Sequence, residues 1–366
     1  MSRRLVPFVT LAVLGALSLA AITASVRTDR AAHIVPPKTN HPSRANPYGA
    51  PEYGFGGYSL SQLTSEIGAQ WRVPAIAPQS SEGNATTWIA VQNEERQFIQ
   101  LGTVENKNDG VAMYGIFWSD VAVGFHPQQL LEVNAGDLIR FKMVQVSRGW
   151  RLSFDDVTEN TPETITVHYA QGSPFFLGQW IQEDPTIGGL SRHLPYPSIA
   201  PTTFEDMTLN KSKPSFDVGE SQALSTADGV YMVPSKATND EFTFNEATGP
   251  ARQYLQDVFA FNASLYPFQV DLFYNRSPSR DVRRQMVSAL ATLRANIVTQ
   301  TWPASMARAV KADTKEIKLY LKLYRGFTLS PKPLSENELG RLESINHQNS
   351  PIVNNFRREL GLPPVG

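Results

Sequence analysis

From Thr86 to Gln182 the chain is a succession of short alternating runs separated by turn residues, and that rhythm leaves few folds open. Thr86–Val91, Arg96–Val104, Val111–Ser119, Leu138–Val146, Trp150–Phe154, Thr164–Tyr169 and Phe175–Gln182 read as strands, where side chains alternate between two faces. Between them stand Gln92-Asn93-Glu94-Glu95, Lys107-Asn108-Asp109-Gly110, Asn134-Ala135-Gly136-Asp137, Ser147-Arg148-Gly149 and Asn160-Thr161-Pro162, all good turn sequences. Strands recurring at this spacing with almost no helical periodicity predict an antiparallel sandwich or barrel. The runs Phe204–Leu209, Ala223–Leu224, Gly229–Val233 and Glu241–Asn245 complete its two sheets.

Near Glu246 the periodicity changes. Pro278-Ser279-Arg280 opens a segment to about Thr299 in which Val282, Met286, Leu290, Leu293 and Ile297 recur at helical spacing. Pro303 ends it, and Ser305–Arg325 forms a second helix with Ile317, Tyr320, Leu321 and Tyr324 on one side. Its other side carries Arg308, Lys311, Lys315, Lys318, Lys322 and Arg325, a solvated basic face or, as the alternative, a membrane-surface one. Ser335-Glu336-Asn337-Glu338 is a capping box that opens a third, short helix. Phe259, Phe261, Phe268, Leu272 and Phe273 read as residues docked against the sandwich.

The chain begins with an export signal. Arg3 and Arg4 precede an apolar run, Leu5–Val26, that fits a cleavable signal peptide and is also long enough to span a bilayer. Pro36, Pro37, Pro42, Pro47 and Pro51 then favour an extended tether. The predicted organisation is therefore a signal peptide or anchor over 1–30, a linker over 31–53, a sandwich over 54–247 and a helical region over 248–366. The body is secreted, or membrane-anchored outside the cytoplasm.

Composition removes several chemistries. A net charge of −1 offers no footprint for nucleic acid. Cysteine is absent, which excludes disulfides, thiol nucleophiles and Cys-based zinc sites. Six scattered His without a His-Glu-x-x-His run argue against a metalloprotease, so no metal or other cofactor is expected.

Two polar residues on predicted strands stand out, Gln100 in Gln97-Phe98-Ile99-Gln100-Leu101-Gly102 and Glu183 in Gly178-Gln179-Trp180-Ile181-Gln182-Glu183-Asp184. Singly, each would be an ordinary surface side chain. With Thr87-Trp88-Ile89 upstream, the set resembles the eqolisins, the glutamic peptidases, in which a Trp-containing strand is followed by Gln-x-Gly and later by Trp-(Ile/Val)-x-Glu. Val133-Asn134-Ala135-Gly136-Asp137-Leu138-Ile139 is similar to that family's Gly-Asp turn and strand, and Tyr58-Ser59 with Trp71-Arg72-Val73-Pro74 to its opening strands. The resemblance spans roughly residues 54–245 and leaves out the helical region.

It implies a concanavalin-like jelly-roll sandwich and an acid-active endopeptidase acting on protein or peptide substrates, of which this chain is a divergent member. Glu183 would be the general base that activates water and returns the proton to the leaving nitrogen. Gln100 would orient the water and hold the oxyanion, since its amide donates without titrating. Strand parity agrees: Gln179, Ile181 and Glu183 share one face, with Trp180 and Gln182 on the other. Trp88, Tyr114, Trp118 and Gln179 are the expected substrate contacts.

The chain also departs from the family pattern. Gln179 stands where Glu is usual and removes a like charge from the face of Glu183. Ala90-Val91-Gln92-Asn93 replaces Gly-Ile-Asp-Gly, Val104 replaces Asp, and Met113-Tyr114-Gly115-Ile116-Phe117, with Trp118 one step beyond, replaces Trp-Tyr-Glu-Trp-Tyr. The rival of a different class is a non-catalytic extracellular binding module, with Trp118, Trp150 and Trp180 as a sugar-stacking platform. A weaker one makes a glycoside-hydrolase pair from Glu132, Asp137, Asp155, Asp156 and Glu159. Asn84, Asn210, Asn262 and Asn275 begin glycosylation sequons.

Overall fold

The computed structural model describes residues 54–329, apart from 94–96, 121–122, 124–125, 169–173, 186–194, 217–220, 227, 239 and 274–277, and then 335, 337 and 351–364. The export segment, the linker over 31–53 and most of the capping-box helix lie outside the described residues. Two compact units emerge, Tyr53–Thr248 and one that includes Gly249–Gly366. No helix of the described residues is long and apolar enough to cross a membrane.

The first unit is mainly β. In chain order its strands are β1 (Phe55–Ser61), β2 (Glu66–Arg72), β3 (Gly83–Asn93), β4 (Phe98–Asn108), β5 (Val111–Asp120), β6 (Gln128–Glu132), β7 (Leu138–Val146) and β8 (Gly149–Asp156). There follow β9 (Thr161–His168), β10 (Phe175–Glu183), β11 (Thr202–Leu209), β12 (Ser221–Gln222), β13 (Leu224–Ser225), β14 (Tyr231–Pro234) and β15 (Phe242–Glu246). They form two antiparallel sheets, a seven-stranded one in the order β12-β1-β10-β3-β4-β5-β6 and an eight-stranded one in the order β13-β14-β15-β11-β2-β7-β8-β9. The β4–β5 hairpin shows how sequence sets register. Asn108 pairs with Val111, and the two residues between, Asp109 and Gly110, have φ of 51° and 77°, the left-handed pair that an Asp-Gly turn supplies.

Alternation sorts each strand into a side facing the other sheet and a side facing away. Ile89, Val91, Ile99, Leu101, Ile116 and Trp180 from the first sheet meet Trp71, Ile139, Phe141, Leu152, Phe204 and Phe244 from the second in one buried core. Trp71 stacks on Phe141 with ring centroids 4.2 Å apart, and its indole N–H donates to Thr103 Oγ1 at 3.1 Å. Trp180 is fully buried and donates to the Gly68 carbonyl of the opposite sheet at 3.1 Å. Trp180→Ala therefore removes a large core side chain and its hydrogen bond to the opposite sheet. It should cost about 3–5 kcal/mol, read as a lower urea midpoint for the β unit.

This arrangement corrects the aromatic-platform reading. Trp150 and Trp180 are core residues, 1% and 0% exposed, and Trp118 packs against the same core. The three aspartates of the acidic turn set are structural as well. Asp156 accepts from the Thr158 and Glu159 backbone N–H groups, Asp137 from that of Asn134, and Asp155 pairs with Arg140. No group of three or more His, Asp or Glu that could hold a metal occurs among the described residues. Asn210 is occupied by hydrogen bonds to Ser65, Glu66 and Leu63, and Asn262 is buried, so neither presents a free sequon.

The second unit contains α1 (Gly249–Phe273), α2 (Arg280–Thr299) and α3 (Ala307–Leu329). The Ser279 hydroxyl caps α2 by accepting from Val282 N–H, and Val282, Met286, Leu290, Leu293 and Ile297 form its buried stripe as the spacing predicted. Helix α1 was not legible from spacing: Pro267 lies inside it, and its aromatic residues blur the apolar stripe. Asp257 of α1 accepts from Asn296 at 2.7 Å and also from Gln300, tying α1 to the end of α2.

Candidate active site

The face of the seven-stranded sheet that points away from the core carries the predicted residues in adjacent rows. Pairing of β10 with β3, and of β3 with β4, sets Gln179 beside Ala90 and Ala90 beside Gln100. Ser59 on β1 and Ser119 on β5 end that row. The next row runs Ile181, Trp88, Gly102, Phe117, and the one after it Glu183, Thr86, Val104, Gly115. Cross-strand partners share a face, so Gln100, Trp88, Gln179 and Glu183 lie together.

Tyr114 and Trp118 do not join them. Trp118 pairs with Leu101 and Tyr114 with Glu105, both on the inward side, and Phe117 takes the outward position between them. A shift of one residue in aligning an aromatic strand reverses its faces, and this is what misplaced the two aromatics.

Glu183 is half-buried and held from the neighbouring strand. The Trp88 indole N–H donates to its Oε2 at 2.7 Å, and the Thr86 hydroxyl lies 3.4 Å from the same oxygen. A donor on a carboxylate oxygen favours the charged form that a base requires. Trp88 is itself fixed by edge-on contacts with Phe55 and Phe98, at centroid distances of 6.2 and 5.6 Å, within a small apolar cluster containing Ala90, Phe117 and Ile181.

Gln100 is held from the other side. Its amide nitrogen donates to the buried Ser119 hydroxyl at 2.9 Å, while its Oε1 is buried without a hydrogen-bond partner. One amide hydrogen serves the anchor, so a second N–H and the buried carbonyl oxygen keep unused hydrogen-bonding capacity. Gln179 mirrors it: its amide nitrogen donates to Ser59 Oγ at 3.2 Å and its Oε1 is likewise buried and unpartnered. Two orphaned acceptors thus flank Ala90, a residue whose methyl leaves the floor low. Buried acceptors of this kind call for donors from water or substrate.

Gly102, between the Gln100 and Glu183 rows, is required by close packing. A Cβ there would lie 2.0 Å from the Thr87 carbonyl oxygen and 2.6 Å from Trp88 Cα. The glycine of the Gln-x-Gly motif therefore lets β3 and its Trp88 sit close against β4.

Glu183 stands four residues along β10 from the Gln179 row, about 13 Å of strand, and Gln100 is two strands across, about 10 Å. The carboxylate and the amide are anchored separately, and the residues between them, Ala90, Ile181, Trp88 and Phe117, are buried. The same geometry weakens the expected influence of position 179 on Glu183. Gln179→Glu should move the acidic limb of a rate profile upward by only about 0.3 pH unit at physiological salt, the Coulomb coupling across that distance. A shift of a full unit in that profile would mean that the two side chains approach each other.

No protein-family model matches the sequence, and none of the curated proteins does. Among solved structures, the chain is similar to scytalido-glutamic peptidase bound to a transition state analog inhibitor, with 15% identity and a TM-score of 0.44 over 53% of this chain and 98% of that one. It is also similar to SCP-B, a member of the eqolisin family in complex with the tripeptide Ala-Ile-His, with 14% identity and a TM-score of 0.41 over 53% and 98%. The aspergilloglutamic peptidase of Aspergillus niger matches with 17% identity and a TM-score of 0.36 over 45% of this chain and 99% of that one.

Proposed function

We propose that this protein is a glutamic endopeptidase that hydrolyses peptide bonds in acid, with Glu183 as general base and Gln100 as the water-orienting and oxyanion-holding amide. The observation that carries the reading is the shared outer face: a carboxylate held by an indole N–H in one row, and a buried amide with unused donor and acceptor capacity two rows away. The Gln-x-Gly and Trp-Ile-x-Glu motifs that carry the sequence resemblance are the segments that build it.

The chemistry follows from the groups present. Gln100 Oε1 accepts from the attacking water, and because Glu183 lies about 13 Å along and about 10 Å across the sheet, that water's other proton reaches it through intervening water as oxygen attacks the carbonyl carbon. The Gln100 N–H not bound to Ser119 donates to the oxyanion as it forms. Protonated Glu183 then returns its proton by the same water path to the amide nitrogen, the C–N bond breaks, and a carboxylic acid and an amine leave. No metal and no covalent intermediate takes part, and an amine departs most easily where solvent can protonate it, hence acid.

Cleavage of an unfolded protein or a peptide at about pH 3–5, unaffected by pepstatin and by serine, cysteine and metal inhibitors, is the expected assay result. A ligand-binding module with no turnover would instead retain peptides intact under the same conditions.

A further inference from the structure

On the inward side of the same strands lies a polar row that the proposed reaction does not use. The Gln182 amide nitrogen bonds Thr202 Oγ1 at 3.0 Å and Thr87 Oγ1 at 3.4 Å, and Thr87 pairs across the strands with Thr103. Thr103 accepts from the Trp71 indole and donates to Glu105 Oε1 at 2.6 Å. Glu105 is fully buried, its Oε2 has no hydrogen-bond partner, and no cation pairs with it among the described residues. A buried carboxyl without a counter-charge is accommodated as the neutral acid.

This row backs the outer site through a single sheet layer. Thr87 stands between Thr86 and Trp88, the two residues that hold Glu183, and Gln182 precedes Glu183 itself. A negative charge at Glu105 would pull on Thr87 and Thr103, and through them on the strand segment that presents Trp88. It would also oppose the Glu183 carboxylate across an interior that screens poorly.

We infer that Glu105 is a positioning residue: its neutral carboxyl completes the Trp71–Thr103–Thr87–Gln182 row, keeps Trp88 on Glu183, and confines the working site to pH values below the ionisation of Glu105. This deepens the peptidase reading and rests on it. Burial pushes the Glu105 carboxyl well above the ordinary Glu range, against the opposing influence of the Thr103 and Thr87 hydroxyls. The groups that face it are consistent with this. Tyr196 has its phenol pushed up by burial and by Glu105 and Asp184. Tyr114 is its cross-strand neighbour on β5, and the Lys107 ammonium, two residues along β4, is turned to the Pro78 and Ser80 carbonyls at 2.6 and 2.9 Å. A raised pKa means that the row is intact at low pH and lost as pH rises through the ionisation of Glu105.

The test uses the full chain, with the Trp88 indole N–H resonance assigned by its disappearance in Trp88→Phe. In the wild type that resonance should shift with an alkaline midpoint as the Trp88–Glu183 bond is lost; in Glu105→Gln, a neutral isostere, the shift should be absent. The alkaline limb of kcat/KM should move up by at least about one pH unit in Glu105→Gln, with the acidic limb unmoved. Thr103→Val, which removes a donor that favours ionisation, should move the wild-type midpoint upward and covers the case in which Glu105→Gln fails to fold. An unchanged Trp88 titration in the folded Glu105→Gln protein, or in Thr103→Val if that alone folds, overturns the inference. A wild type that cleaves nothing would sink the peptidase reading alone, since the resonance still reports whether Glu105 controls the Trp88–Glu183 contact.

Discussion

Glu183→Gln should leave a folded protein whose kcat is about 10²–10⁴-fold below wild type at every pH tested. The substitution keeps the size of the side chain and an oxygen that can still accept from the Trp88 indole, now 2.7 Å from the carboxylate. What it removes is basicity, so KM and the melting temperature should change little. A variant that loses its structure would point to a role in holding β3 to β10. One that cleaves at the wild-type rate would remove Glu183 from the chemistry. Trp88→Phe is the natural companion, since it deletes the donor and keeps most of the apolar contact with Phe55 and Phe98. It should raise the acidic limb of the profile, because a carboxylate without its indole donor is harder to ionise.

The second large effect is expected in the helical unit. Asp313 on α3 is buried with its Oδ2 unpartnered, and burial, with a smaller contribution from Glu316 one turn along, pushes its carboxyl up to about 7. The ordinary value for an Asp carboxyl, which the unfolded chain approaches, is 3.8. The folded chain therefore keeps a proton that the unfolded chain releases. Stability that is fully present below about pH 4 is lost progressively as pH rises to about 7, on the order of 4 kcal/mol. Glu316, also raised to about 7 by burial, acts in the same direction. Far-UV circular dichroism of urea unfolding at about pH 4 and about pH 8 should show the helical transition at lower urea in the second, and Asp313→Asn should flatten the difference. Equal midpoints in the wild type would show that Asp313 is more solvated than its packing indicates. With Glu105 in the β unit, this residue makes both units better suited to acid than to neutral pH.

How much of this was readable from sequence depends on which regularity carried it. Strands and turns followed from alternation and from Asp109-Gly110-type signals, and α2 from its apolar stripe with Ser279 as cap. Helix α1 was missed because an internal proline and dispersed aromatics hide its face. Strand β6, Gln128–Glu132, was missed because its largely exposed side chains show no alternation. At the site, parity on β10 correctly put Gln179 and Glu183 together, and the motif placed Gln100. Tyr114 and Trp118 were misjudged because matching aromatic residues by type ignored the face on which each would fall. Glu105 was passed over, although its odd-numbered position after Ile99, Leu101 and Thr103 on one strand already put a carboxyl on the core side. What sequence could not show was the state of the amides: the β4–β5 hairpin sets Ser119 opposite Gln100, but Ser59 comes from a strand distant along the chain from Gln179, and the burial of both amide oxygens depends on the assembled sheet.

The most direct test of the central claim, that Glu183 and Gln100 act as one unit on a single substrate, is a double-mutant cycle in kcat/KM with Glu183→Gln, Gln100→Ala and the combined variant. Groups that act only together lose their effect once either is gone, so the combined variant should be no slower, within about threefold, than the worse single one. Losses that multiply, or a Gln100→Ala protein with wild-type kcat/KM, would contradict the pairing and with it the account of the site.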